Sequence, residues 1–230
     1  ARQNWAITPP AHIQNGDERQ PFARNGLALA RQKGKYGYID TRGKWKIKPQ
    51  YDEAAPFSEN GLAAVRKNKD SIYINEKGQK AFKMIFSQTG SFGAAPLAIA
   101  RQNDLSGFLD AQGHWKITPR FASARPFAAN GLAAASPGDA PNQWGYINAS
   151  GAWVIPARFD SAGDFASNGL APASQEGKHG FLDHQGRWAV APQFEQARPF
   201  ASNGLARARQ NGKWGYINAF GRWVIPVHFD

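Results

Sequence analysis

The chain has 230 residues, 42% hydrophobic and 13% aromatic, so a core built largely from rings is within reach. Its 28 Lys and Arg against 17 Asp and Glu leave a net charge of +11, which favours anionic partners and decides nothing about fold. Zero cysteines exclude disulfides, thiolate zinc, iron–sulfur clusters and a cysteine nucleophile, and no apolar run reaches the roughly eighteen residues that a membrane-spanning helix needs.

The chain opens on Ala1 in place of Met, which reads as processing or truncation, a removed secretory signal being one explanation. The first segment with strand chemistry is Trp5-Ala6-Ile7-Thr8-Pro9, followed by extra residues around His12 to Asp17 that read as a loop. Together they make residues 1–24 a leading half-repeat. From there a unit recurs. Asn-Gly-Leu-Ala stands at Asn25, Asn60, Asn130, Asn168 and Asn203, with a weaker Ala95-Pro96-Leu97-Ala98. The leucines Leu27, Leu62, Leu97, Leu132, Leu170 and Leu205 are spaced 35, 35, 35, 38 and 35. Three additional residues in Ser136–Gln143 account for the longer step and read as a loop. The repeats are 25–59, 60–94, 95–129, 130–167, 168–202 and an incomplete 203–230, taken as one repeat domain over 1–230.

Three segments of each unit alternate or concentrate apolar residues as strands do: Leu62 to Val65, Trp214 to Ile217 and Trp223 to Ile225 are examples. Between the second and third lies Asp or Asn, two variable residues and Gly, from Asp40–Gly43 to Asn218–Gly221, the signature of a type I turn. Asp and Asn exchange freely there, so the hydrogen bond is needed and the charge is not. The third strand is expected to stop at Pro49, Pro119, Pro156, Pro192 or Pro226, since proline removes a ladder donor. A connection of about twelve residues follows, carrying a wedge series Phe22, Phe57, Phe92, Phe127, Phe165 and Phe200. Nothing has helical period. The fold class is therefore all-β: tandem 35-residue, three-stranded antiparallel repeats stacked as an open superhelical array, with a closed six-unit propeller-like ring as the alternative.

Gly34-Lys35-Tyr36-Gly37-Tyr38-Ile39-Asp40 and Gly212-Lys213-Trp214-Gly215-Tyr216-Ile217-Asn218 show the repeated motif most clearly. It resembles the bacterial WG-repeat family over essentially the whole chain. The resemblance implies a repetitive β fold with a binding or scaffolding role and supplies no catalytic residues. Residues Ser71 to Ala95 depart from the pattern, with Lys80 in place of Trp and Lys83-Met84-Ile85 in place of Ile-x-Pro, so regular strand pairing is not expected there.

Chemistry is sparse. His12, His114, His179, His184 and His228 occupy unrelated positions in the repeat and lack metal-ligand spacing, so no metal or other cofactor is expected. Asp52, Asp160 and Asp230 follow the strand-three aromatic, with Glu195 in the same slot, and read as turn caps. The sequon Asn148-Ala149-Ser150 lies within a turn. No phosphate loop, nucleophile elbow or zinc helix occurs. The loops between strands one and two carry Arg31, Lys33 and Lys35, then Arg66, Lys67 and Lys69, then Arg101, Lys178, Arg207, Arg209 and Lys213. Aligned in register they form a basic ridge for an anionic partner, or charged hairpin tips that only confer solubility. Acids in the same loops (Asp70, Asp104, Asp139, Glu176) argue against nucleic acid. The Trp series reads as core between repeats, with Trp144 and Trp214 the candidates to show a face to a ligand.

The function expected is that of a non-enzymatic repeat protein binding a macromolecule, a protein, in the bacterial envelope or outside the cell, as a scaffold or an immunity-type protein. The alternatives are a carbohydrate-binding module for cell-wall or anionic surface glycan, and an enzyme seated on the atypical second repeat near Lys80 to Phe92.

Overall fold

A computed structural model describes residues 21–92 and 96–229. The segment Trp5–Pro9, His12, the insertion near it and Asp230 lie outside the described residues. The chain divides into two compact units, one reaching to Asp104 with Phe108–Lys116, the other made of Leu105–Gly107 with Ile117 onward.

The N-terminal unit contains β1 (Ala28–Gln32), β2 (Lys35–Ile39), β3 (Trp45–Tyr51), β4 (Glu53–Ala54), β5 (Ala63–Lys67), β6 (Asp70–Ile74), β7 (Gln88–Thr89) and β8 (Ala98–Gln102). The strands β9 (Leu105–Leu109) and β10 (Trp115–Ala124) fall at the division. The C-terminal unit continues with β11 (Ala133–Pro137), β12 (Trp144–Ile147), β13 (Trp153–Phe159), β14 (Ser161–Ala162), β15 (Ala171–Gln175), β16 (Lys178–Leu182), β17 (Trp188–Phe194), β18 (Gln196–Ala197), β19 (Ala206–Gln210), β20 (Lys213–Ile217) and β21 (Trp223–Phe229). Every regular element among the described residues is a strand, and none forms a helix long and apolar enough to cross a membrane.

The repeats at β15–β17 and β19–β21 are meanders of three antiparallel strands, as the pattern predicts, and a fourth strand joins each. In the order β14-β15-β16-β17, and again in β18-β19-β20-β21, the leading strand is two residues of the connection that follows the previous repeat's aromatic. Ser161 pairs with Ser174 and Ala162 with Ala173. The connection is thus held to the sheet it introduces, and the unit is four-stranded.

The third strand does not end at its proline. Tyr36 and Tyr38 of β2 face Tyr51 and Ile47 of β3, so β3 spends two extra residues on the interval. Pro49 sits in that bulge, where no ladder donor is required. The bulge presses on the facing strand: a Cβ on Gly37 would lie 2.5 Å from the Ile47 carbonyl oxygen, and one on Gly145 would lie 2.4 Å from that of Ile155. The Gly of each Trp/Tyr-Gly pair therefore exists for close backbone approach.

The turns form as read. Asp40 Oδ1 accepts from the N–H groups of Arg42 (2.9 Å) and Lys44 (3.0 Å), and Gly43 holds φ at 73°. The Asn of each Asn-Gly-Leu-Ala makes a second turn, Asn168 Oδ1 accepting from Leu170 N–H at 3.2 Å. The wedge phenylalanines close on the strand-two ring: Tyr38–Phe57 centroids lie 4.6 Å apart, Tyr146–Phe165 4.8 Å and Phe181–Phe200 4.6 Å. Tyr38, Tyr73 and Tyr146 also donate their hydroxyls to carbonyls of Ala55, Gly90 and Gly163. Burial, the first cause in each case, pushes these phenols up.

Successive repeats meet through the Trp series. Trp188 stands edge-on to Phe159 (5.5 Å, 85°) and Trp223 to Phe194 (5.7 Å, 83°), contacts worth about 1 kcal/mol each beyond the area they bury. The following turn covers the strand-three aliphatic, leaving Ile155 and Val190 buried. On β21 the corresponding Ile225 and Phe229 are exposed.

The second repeat departs as its sequence predicts. Beyond β6, Ser71 bridges Phe86 and Ile74 bridges Lys80, with no full third strand. Its core is nonetheless filled: Phe86 stands against Trp115 (5.8 Å, 86°), and the Phe82 ring covers Gly113.

Candidate binding surface

The loops between strands one and two are tight hairpins. Lys33 and Gly34 have φ of 49° and 79°, Glu176 and Gly177 of 53° and 72°, and Asn211 and Gly212 of 52° and 76°. Two consecutive positive φ values define the type I′ turn, whose twist matches that of its strands. The cations flanking these turns are consequently carried on rigid tips.

Acids from the preceding repeat clasp those tips. Asp52 Oδ2 accepts from Asn68 N–H (2.7 Å), Asp160 Oδ2 from Gly177 N–H (3.0 Å) and Glu195 Oε2 from Gly212 N–H (3.1 Å). The slot after the strand-three aromatic is thus a turn cap, as its sequence position predicts. Hydrogen bonding from Lys35, then the N–H of Asn68, holds the Asp52 carboxyl below its ordinary range. The N–H groups of Lys44 and then Arg42 depress Asp40 in the same way.

In the N-terminal unit the clasp joins two basic hairpins. Lys35 ion-pairs with Asp52, and Arg66 with Glu53, while Lys67 Nζ reaches Gln50 Oε1 at 3.1 Å. Lys33 and Lys69 project as exposed cations from the two turns. Arg31 lies over the Tyr36 ring at 5.3 Å. Arg101 instead donates within its own hairpin, to the Asp104 carbonyl (2.6 Å). In the C-terminal unit Lys178 and Lys213 are exposed, and Arg209 donates to the Gly212 carbonyl (3.1 Å) and lies 3.9 Å from Glu195. The structure thus brings Lys33, Lys35, Arg66, Lys67 and Lys69 into one neighbourhood, and sets Asp52, Glu53 and Asp70 among them.

Trp144 and Trp214 are half-buried, and arginines occupy their faces. Arg125 lies 5.9 Å from the Trp144 ring; Arg198 and Arg207 lie 5.9 and 4.7 Å from that of Trp214. Such stacking costs a guanidinium little hydration and holds it in place. Among the described residues the Trp most open to solvent is Trp153, 38% exposed, on the third strand.

Among the described residues the remaining titratable groups do not converge. Burial, then Arg198, lowers the His179 imidazole. His114 lies 3.6 Å from Asp110 within one turn, and His184 meets Gln185 at 2.6 Å. Among the described residues no three His, Cys, Asp or Glu side chains gather as a metal site would require. Around Lys80 to Phe92 the side chains turned inward are apolar, Phe82, Met84, Phe86 and Phe92 packing with Tyr73 and Leu109.

The WG-containing-repeat model matches residues 36–69, 73–105, 107–136, 144–178, 180–214 and 214–230. The chain belongs to the WG-containing-repeat family. Solved structures extend the likeness to β-propeller and repeat-type folds. A eukaryotic initiation factor matches with a TM-score of 0.64 at 12% identity, over 96% of this chain and 68% of that one. Hsv2 of Kluyveromyces lactis matches with 0.54 at 10% identity, over 85% and 71%, and Sqt1 of Saccharomyces cerevisiae with 0.52 at 14%, over 89% and 71%. At these identities the likeness is one of fold. No curated protein matches the sequence.

Proposed function

We propose that this WG-repeat protein is a non-catalytic binding module that holds a protein partner against the hairpin tips of its N-terminal unit, as a scaffold or immunity-type protein of the bacterial envelope or exterior. The observation that carries the reading is the clasp at Asp52, which pairs with Lys35 of one hairpin and caps the turn of the next at Asn68. Rigid, laterally joined tips lose little entropy on contact, and repeat arrays suit large partners because equivalent positions recur along one surface. The polar side chains that recur in every repeat are already engaged in turns, which supports scaffold over enzyme. Acids among the cations favour a protein surface of mixed charge over a polyanion.

The test is capture of partners from source-cell extract by the native chain and by the Lys33→Gln, Lys67→Gln, Lys69→Gln variant, which spares the Lys35–Asp52 and Arg66–Glu53 pairs. Folding should be unchanged by circular dichroism and retention of the partner should fall severalfold. Undiminished retention would remove the ridge from the mechanism.

A further inference from the structure

In the C-terminal unit the repeat is broken twice at one place. Phe121 is followed by Ala122, where Phe159 and Phe194 are followed by the capping carboxylates Asp160 and Glu195. The hairpin that such a carboxylate would clasp is also the one that carries the additional residues of Ser136–Gln143. With no carboxylate to meet it, the Gly138 N–H donates to the backbone carbonyl of Arg120 at 3.1 Å. A cleft of about 410 Å³ opens beside this contact, lined by Arg120, Phe121, Pro137, Asp139, Gly151 and Trp153. That volume lies within the range of small-ligand sites.

The lining has three chemical parts. Trp153 makes the same edge-on contact with Phe121 (5.8 Å, 89°) that its counterparts make elsewhere, yet among the described residues it is the exposed member of the series at 38%. The Arg120 guanidinium is fixed over the Phe121 ring at 5.2 Å and donates to the Gly151 carbonyl, which uses only part of its five N–H donors. Asp139, exposed on the insertion, supplies a carboxylate that only accepts. A cation and an anion share the cleft, so a polyanion meets Asp139 and a polycation meets Arg120. A neutral ring with one apolar C–H face and hydroxyls that both donate and accept complements all three parts.

We propose that this cleft binds a neutral hexopyranose residue of a glycan, its C–H face on Trp153 and neighbouring hydroxyls shared between Arg120 and Asp139. The site lies in the C-terminal unit and shares no residue with the hairpin tips of the N-terminal unit, and neither reading depends on the other. The full chain is titrated with cellotriose, followed by tryptophan fluorescence and by binding heat. Saturable binding is expected. Asp139→Ala, on an exposed turn where folding is unaffected, should weaken it about ten- to a hundredfold, the worth of a hydrogen bond to a charged group. Trp153→Ala, checked for folding by circular dichroism, should abolish the fluorescence change. Absence of saturable binding, affinity unchanged in both variants, or tighter binding of polygalacturonate than of cellotriose would each overturn the proposal.

Discussion

Replacing Gly180 of β16 by alanine separates the two reasons for which this chain uses glycine. A Cβ there would lie 2.4 Å from the Val190 carbonyl oxygen and 2.9 Å from both the Ala191 carbonyl carbon and the Pro192 nitrogen. All three are backbone atoms of the bulge in β17, so no side chain can rotate out of the way. Gly177, three residues earlier, is the converse: its φ is +72°, and a Cβ would meet nothing within 4 Å. Alanine at 177 bears only the left-handed backbone cost, about 1 kcal/mol. Alanine at 180 must displace the bulge, which places it at the upper end of overpacking costs, about 3 kcal/mol or more. Urea titration by far-ultraviolet circular dichroism, with native-state hydrogen exchange at β16 and β17, measures both. Exchange is needed because a repeat array does not have to unfold in one step. Equal losses for the two variants, or a larger loss for Gly177→Ala, would refute the steric account of the strand-two glycine.

The clasp at Asp52 should show in acid. Its carboxyl is depressed by Lys35 and then by the Asn68 N–H, so its stabilisation is present above the unfolded value near 4 and is lost as pH falls through the folded value. The melting temperatures of native chain and Asp52→Asn should differ at pH 7, and the difference should shrink as pH falls below about 4; a difference that does not shrink in acid would exclude the ion pair as its source. His179 has the opposite charge type: burial and Arg198 lower it, so the unfolded chain takes the proton first as pH drops below about 6.5. Stability should decline from pH 7 towards the folded value, and His179→Gln should flatten that slope in a pH series of urea melts. Tyr146→Phe removes the hydroxyl that donates to the Gly163 carbonyl at 2.9 Å. The loss should be about 1 kcal/mol by urea titration, since Phe181 occupies the equivalent slot without a hydroxyl.

The period, the Asx-x-x-Gly turns, the phenylalanine wedge and the capping role of Asp52, Asp160 and Glu195 are legible because each recurs at a fixed place in the repeating unit. The fourth strand is not, since two residues such as Ser161-Ala162 are too few to alternate. Nor is the reason for Gly37, which depends on a bulge that appears only once β3 is paired with β2. The proline expected to stop that strand sits inside the bulge for the same reason. On the surface, the cationic loops are plain in the sequence, but their neutralisation is not: Glu53 reaches Arg66 and Asp52 reaches Lys35 through sheet register. Trp144 and Trp214 read as open faces because the arginines stacked on them come from elsewhere in the fold. Trp153 becomes prominent only where Ala122 and the Ser136–Gln143 insertion coincide.

Site-specific photocrosslinking tests most directly whether a partner meets the hairpin tips. A photoreactive residue is placed at Lys69, beside the β5–β6 turn, and in a second sample at Glu76, in the Asn75–Gly78 turn at the opposite end of β6. Both positions are exposed, so neither should disturb folding. Irradiation in source-cell extract should give a discrete protein adduct from position 69 and none from position 76. An adduct from position 76 alone would place the contact at the other end of the sheet and contradict the account.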